Sequence, residues 1–172
     1  ASVVEIILPD DVSLLINLDT PLPKIEADPA QIQQLIMNLI VNGAEACTEG
    51  CGSVNIATDI LSHDYITRDF KSFTGEAIIP GTYVSLSVRD TGAGMDEQTQ
   101  LRIFDPFYST KETGRGLGLA AVIGIVRSHK GALSVRSEPG KGTCIQVIFP
   151  VASPVTEVAN HQSTSTQDIL SC

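Results

Sequence analysis

Positive charge is scarce in this chain: 11 lysines and arginines stand against 20 aspartates and glutamates, a formal net charge of −9. That balance argues against a broad nucleic-acid or anionic-membrane surface, because either needs basic patches that so few cations do not readily assemble. A small anionic ligand is still allowed, since it needs only local donors and a divalent cation. No apolar run reaches the roughly 18 residues of a membrane span. The start, "ASVVEIILPDD", lacks the basic end and cleavage pattern of a secretory signal. It also lacks an initiator methionine and opens straight into a strand-like run, so a piece of a longer protein is expected, cytoplasmic, with any membrane tether lying upstream. Cysteine is sparse and scattered, at Cys47, Cys51, Cys144 and Cys172, and no second His or Cys pair matches Cys47 and Cys51 for zinc. Free thiols in a reducing compartment are the expectation. The chain has no "GxxxxGK[ST]" phosphate loop, no strand-led Rossmann glycine turn and no internal repeat.

What is present reads as one domain and a tail. The chain of 172 residues, 42% hydrophobic, is long enough for a single core and short for two. Residues 3–8 and 12–18 read as a hairpin through a Pro-Asp-Asp turn. In "ADPAQIQQLIMNLIVNGAEAC", Asp28 suits an N-cap, Pro29 the first helical position and Gln31 the partner of a capping box. Ile32, Leu35, Ile36, Leu39, Ile40, Gly43 and Cys47 then recur at helical spacing. "GSVNIATDIL" and "TYVSLSVRD" read as strands around an exposed loop at 62–80. A short helix starts near Glu97 after Asp96, an apolar helix runs from about 117 to 128 and closes at "HKG", and "ALSVRSEPGKGTCIQVIFP" is a hairpin. The Ser- and Thr-rich stretch 152–172 reads as a linker or disordered tail behind a domain at 1–151. The expected fold class is α/β, as an α+β two-layer sandwich: a mixed, largely antiparallel sheet covered on one face by about three helices.

Three segments carry candidate chemistry. On the first long helix, Gln31, Gln34, Asn38, Asn42 and Glu45 fall in one stripe opposite the apolar face. Amide oxygens there can ligate a hard cation beside phosphate oxygens; a merely polar surface is the alternative. Asp90 shares strand parity with Val84, Leu86 and Val88, which points its carboxylate to the helix-covered face beside "TGAG". An adenine amino group suits such a carboxylate and a guanine carbonyl does not, while a turn aspartate is the plainer reading. In "STKETGRGLGLA" the glycines lead into a helix whose free N–H groups can meet an anion, with Lys111 and Arg115 adding charge; a flexible surface turn is equally open.

In their order, these segments resemble the ATP-binding domain of bacterial sensor histidine kinases, within the superfamily shared with gyrase B and mismatch-repair ATPases. "QLIMNLIVNGAEA" is similar to the family's N box, "DTGAGM" to its first glycine box, "IFDPFYSTK" to its F box and "GRGLGLA" to its second glycine box, and the likeness spans roughly 3–150. The resemblance implies that ATP and Mg²⁺ bind, with Asn42 as the metal ligand, Asn38 a polar partner one turn earlier and Asp90 on the adenine amino group. It implies that Gly92 and Gly94, followed by Met95, let the chain pass close to the purine, and that Thr143 brings a hydroxyl near the base. Residues 107–118 become the ATP lid, with Gly114, Gly116 and Gly118 as hinge and phosphate cradle and with Phe104 and Phe107 as packing anchors. Glu45, Ala46, Phe107, Ser109, Thr110, Lys111, Arg115, Leu117 and Leu119 complete the implied nucleotide contacts, and Asn38, Asn42, Lys111 and Arg115 the implied catalytic set.

Two departures shape the expectation. Related ATPases place a glutamate at the position of Asn38 as general base, and an amide cannot take that proton, so ATP is held for transfer to a histidine instead of being hydrolysed quickly. Many members have threonine where this chain has Arg115, which either contacts the γ-phosphate or points into water. The implied partners are a dimerisation and phosphoacceptor domain and, downstream, a response regulator. That acceptor is not found here: His63, before Asp64, falls in a loop, His129 ends a helix and His161 is in the tail. The chain is therefore expected to bind ATP without phosphorylating itself. The alternatives are a nucleotide-dependent interaction module that has lost phosphotransfer, and an ATPase of the gyrase or mismatch-repair type.

Overall fold

In the computed structural model, residues 8–9, 11–47, 52–62, 78–108 and 117–152 are described. They form β1 (Val12–Asn17), α1 (Pro29–Ala46), β2 (Gly52–Ser62), β3 (Thr82–Asp90), α2 (Glu97–Arg102), α3 (Gly118–Ser128), β4 (Ala132–Ser137) and β5 (Thr143–Pro150). The five strands make one sheet in the order β1-β2-β3-β5-β4. β1 and β2 are parallel, in the register Val12↔Gly52 to Asn17↔Ala57, and the other three pairings are antiparallel. Parallel neighbours need a crossover, which the eighteen residues of α1 help to provide. The first strand of the expected opening hairpin, the loop at 63–77 and the tail from 153 onward lie outside the described residues.

α1 begins where its capping chemistry predicts. Asp28 accepts from Ala30 N–H at 2.9 Å and from Gln31 N–H at 3.4 Å, with Pro29 opening the helix. The expected capping box closes differently. Gln31 donates to the Asp28 carboxylate at 3.3 Å, while the Asp28 N–H goes to His129 Nε2 at 3.0 Å. The imidazole at the end of α3 thus takes the donor that a capping-box glutamine would have taken. Ser128 Oγ also donates to Gln31 Oε1 at 3.4 Å, so the start of α1 is tied to the end of α3.

The helix-facing rows of the sheet, including Val54, Ile56, Leu86, Val88, Leu133, Val135, Ile145, Val147 and Phe149, pack against α1 and α3. Leu35, Leu39 and Ile40 come from α1, and Val122, Ile125 and Val126 from α3. The opposite face is not bare, as a sheet covered on one side alone would be. Leu61, Tyr83, Ala132 and Ile148 form a second buried cluster there, with Ile78 packed on it. α3 ends in a Schellman arrangement: Gly131 N–H reaches Val126 O at 2.9 Å and Lys130 N–H reaches Arg127 O at 3.0 Å. The left-handed residue of this turn is Lys130, with φ 54°, in the position that glycine usually takes.

Candidate functional site

Three strand ends put a polar residue where the helix-facing parity calls for an apolar one. On β3 the row Val84, Leu86, Val88 ends in Asp90; on β4 Leu133 and Val135 end in Ser137; on β5 Thr143 precedes Ile145, Val147 and Phe149. Register places Ser137 opposite Thr143, and the β3–β5 pairing brings Asp90 to the same end. Asp90 and Thr143 are 6% and 7% exposed, so their polar atoms need partners within the protein. Asp90 Oδ1 accepts two backbone donors, Gly92 N–H at 2.9 Å and Thr143 N–H at 3.1 Å. These bonds lock the carboxylate's orientation under α1. A Cβ on Gly43 would stand 3.3 Å from Asp90 Cβ and 3.7 Å from Oδ2, so a side chain here would crowd the carboxylate.

The turn after Asp90 is stitched to its surroundings on three sides. Ala93 N–H donates to Ala46 O at 3.1 Å, Gly140 N–H to Ala93 O at 2.6 Å and Met95 N–H to Ser137 Oγ at 2.8 Å. Gly92 and Gly94 are needed for these contacts. A Cβ at 92 would strike the Ala46 carbonyl, and one at 94, where φ is +67°, would strike the Glu138 carbonyl. The purine approach expected of both residues is therefore preceded by a demand from the protein's own backbone. Gln100, on α2, donates to Met95 O at 3.2 Å and to Ser137 O at 2.9 Å, pinning the turn to the end of β4. Asp96 caps α2, and the Thr99 N–H on its carboxylate holds that group below the usual aspartate range.

Across from this turn, α1 presents Asn38 and Asn42, both half-buried. Asn38 Nδ2 donates to Gly118 O at 3.3 Å, and Asn42 Nδ2 donates to Asn38 O at 2.6 Å. This bond uses the Asn42 nitrogen and not its carbonyl Oδ1, an atom of the type that can ligate a hard cation. Gly118 opens α3 against this pair; a Cβ there would lie 3.3 Å from Asn42 Nδ2. The N-cap residue of this helix, Leu117, makes no side-chain capping bond, and the first N–H groups of a helix can meet an anion. The amide stripe is thus divided: Gln31 and Asn38 bond across the α1–α3 seam, while Gln34 and Glu45 are exposed. No group of three or more His, Cys, Asp or Glu suited to a metal occurs among the described residues.

The remaining expected residues separate clearly. Ala46 contributes its carbonyl, Met95 and Leu119 pack against the core and Leu117 is 46% exposed. Ser109, Thr110, Lys111, Gly114, Arg115 and Gly116 lie outside the described residues, as do most of the lid and the His63 loop. Phe104 is buried in the core, as a packing anchor requires. Phe107 is not an anchor: it is 78% exposed with φ +67°, because the turn after α2 directs it away from the core. Cys47 and Cys144 are free thiols; burial pushes Cys144 up in pKa against the opposing pull of Arg89 and Arg136, which disfavours a reactive thiolate. Ser137 and Gln100 escaped the reading of the sequence, and Gly43 was read only as part of the apolar face of α1. For Ser137 the signal was there: it breaks the apolar row of β4 as Asp90 breaks that of β3.

With this geometry in view, likeness to known proteins is informative. Residues 27–153 match the family described as histidine kinase-, DNA gyrase B-, and HSP90-like ATPase. Sporulation kinase E of Bacillus subtilis is 30% identical over 152 residues, which is 88% of this chain and 18% of that protein. The chain therefore spans about a fifth of that relative. Among solved structures, mycobacterial sensor histidine kinase MprB superposes with a TM-score of 0.61 at 25% identity, covering 81% of this chain and 82% of the other. Full-length ShkA in complex with AMPPNP gives 0.63 at 28% identity, over 83% of this chain and 26% of that one. The sandwich, the buried Asp90 under a helix bearing two asparagines and the matched family converge, and this chain belongs to the histidine kinase-, DNA gyrase B- and HSP90-like ATPases, a family of ATP-binding domains.

Proposed function

We propose that this chain is the catalytic, ATP-binding portion of a two-component sensor histidine kinase. It holds Mg-ATP and passes the γ-phosphoryl group to a histidine on a dimerisation and phosphoacceptor domain outside this sequence, from which a response regulator takes it. The observation that carries the reading is the Asp90 carboxylate, buried and locked by Gly92 and Thr143 beneath α1. Such a group accepts from the adenine amino nitrogen and repels a guanine carbonyl. Asn42 would hold Mg²⁺ through its carbonyl oxygen, and the ion would supply charge neutralisation for the phosphates. The start of α3 receives phosphate, and Lys111 and Arg115 add positive charge from the lid. Asn38 supports the kinase reading over fast hydrolysis, since its amide steadies Gly118 and takes no proton from water.

Titration calorimetry of ATP and GTP, each with Mg²⁺, into the wild type and Asp90→Asn tests the pocket. ATP-selective binding is expected in the wild type, with affinity at least about tenfold lower in the variant. Equal affinity for the two nucleotides, or an unaffected Asp90→Asn, would remove Asp90 from the base. Mixing the chain with a purified acceptor domain then tests transfer; ATP-dependent phosphohistidine should appear on the acceptor and not on this chain.

A further inference from the structure

The hydroxyl of Ser137 is saturated in a way that fixes the direction of a hydrogen-bond chain. A serine oxygen has one proton to give and two lone pairs. Ser137 Oγ lies 3.0 Å from Gly142 O, and a carbonyl only accepts, so the proton goes there. One lone pair takes Met95 N–H at 2.8 Å. The second faces Thr143 Oγ1 at 2.9 Å. All three contacts form together only if Thr143 donates to Ser137. The Thr143 hydroxyl is then left with lone pairs alone, beside an Asp90 carboxylate to which its own backbone N–H is bonded.

From this we infer that Ser137 is a positioning residue for base selectivity: by consuming the Thr143 proton, it makes the base-facing polar atoms acceptors only, which suits the exocyclic amine of adenine and opposes the carbonyl of guanine. The inference rests on the reading that the purine meets Asp90. Removal of Ser137 frees the Thr143 proton to turn toward a guanine oxygen, so discrimination narrows even though neither Thr143 nor Asp90 has changed.

Calorimetric affinities for Mg-ATP and Mg-GTP are compared in the wild type, Ser137→Ala, Thr143→Val and the double variant, with a thermal melt of each. The ATP-over-GTP ratio is expected to fall about tenfold in Ser137→Ala. Ser137 acts only through the Thr143 hydroxyl, so the double variant should discriminate no worse than Thr143→Val alone. A merely structural serine, needed to hold Met95, predicts something else: both nucleotides weaken together and the ratio stays put. That result, or additive losses in the double variant, would overturn the inference. Ser137→Cys, nearly isosteric but with a weak sulfur acceptor, makes the same comparison should the alanine variant fail to fold. A wild type that binds neither nucleotide would instead defeat the proposed function.

Discussion

Asn38 shows how much a single atom decides. Its amide nitrogen holds the carbonyl of Gly118 at 3.3 Å, and a carboxylate there could neither donate that bond nor avoid repelling the carbonyl. Asn38→Glu should therefore loosen the first turn of α3 and at the same time place a base near the phosphates. Steady release of phosphate from Mg-ATP is expected to rise at least about tenfold over the wild type. An unchanged rate would mean that Asn38 does not face the attacking water. Asp90 was legible because parity alone aims a strand residue at one face. Its bond from Gly92, two residues on, is the local turn contact that the sequence also offered, but its donor from Thr143 was not legible, since that residue lies 53 positions away. Phe107 was misread for a related reason: an aromatic side chain in sequence looks like core, and only its 78% exposure in the fold shows otherwise.

Among the elements, helix limits were the most readable, because capping is local chemistry. Asp28, Pro29 and Asp96 sit where their bonding requires. Strand partners were the least readable: alternation tells which face a residue occupies and not which strand lies beside it, so the parallel pairing of β1 with β2 emerges only in three dimensions. The close of α3 suggests a stabilising change. Lys130 holds a left-handed conformation that costs an ordinary residue about 1–2 kcal/mol, and glycine carries no such penalty. Offset by the greater freedom of glycine when unfolded, Lys130→Gly should stabilise the chain by up to about 1 kcal/mol in urea unfolding. The core of α1 responds in the opposite direction. Leu39, 2% exposed between the sheet and α3, should cost about 2–5 kcal/mol as Leu39→Ala, read as a lower urea midpoint with a similar slope.

For the molecule as a whole, the excess of acidic residues disfavours bare ATP, which adds charge of the same sign as the protein, so the proposed function predicts a metal-dependent ligand effect. Mg-ATP at about 100 times its dissociation constant should stabilise the fold by about 2.7 kcal/mol, whereas Mg-GTP should move the melting temperature less and EDTA should remove most of the ATP effect. A shift indifferent to metal would argue against cation ligation at Asn42. The sequence by itself determined the alternation of apolar rows and the capped helix starts, which depend on residues within a turn or two of one another, and the order of the four boxes and the acidic balance, which are read along the chain without any fold. Only the tertiary structure decided that Asp90, Ser137 and Thr143 converge, that Ser137 sets the direction of the Thr143 hydroxyl, and that His129 takes the N–H which Gln31 was expected to hold. Those outcomes depend on which partner is held closest to a shared hydrogen-bonding group. Strand register and helix packing settle that competition across the whole chain.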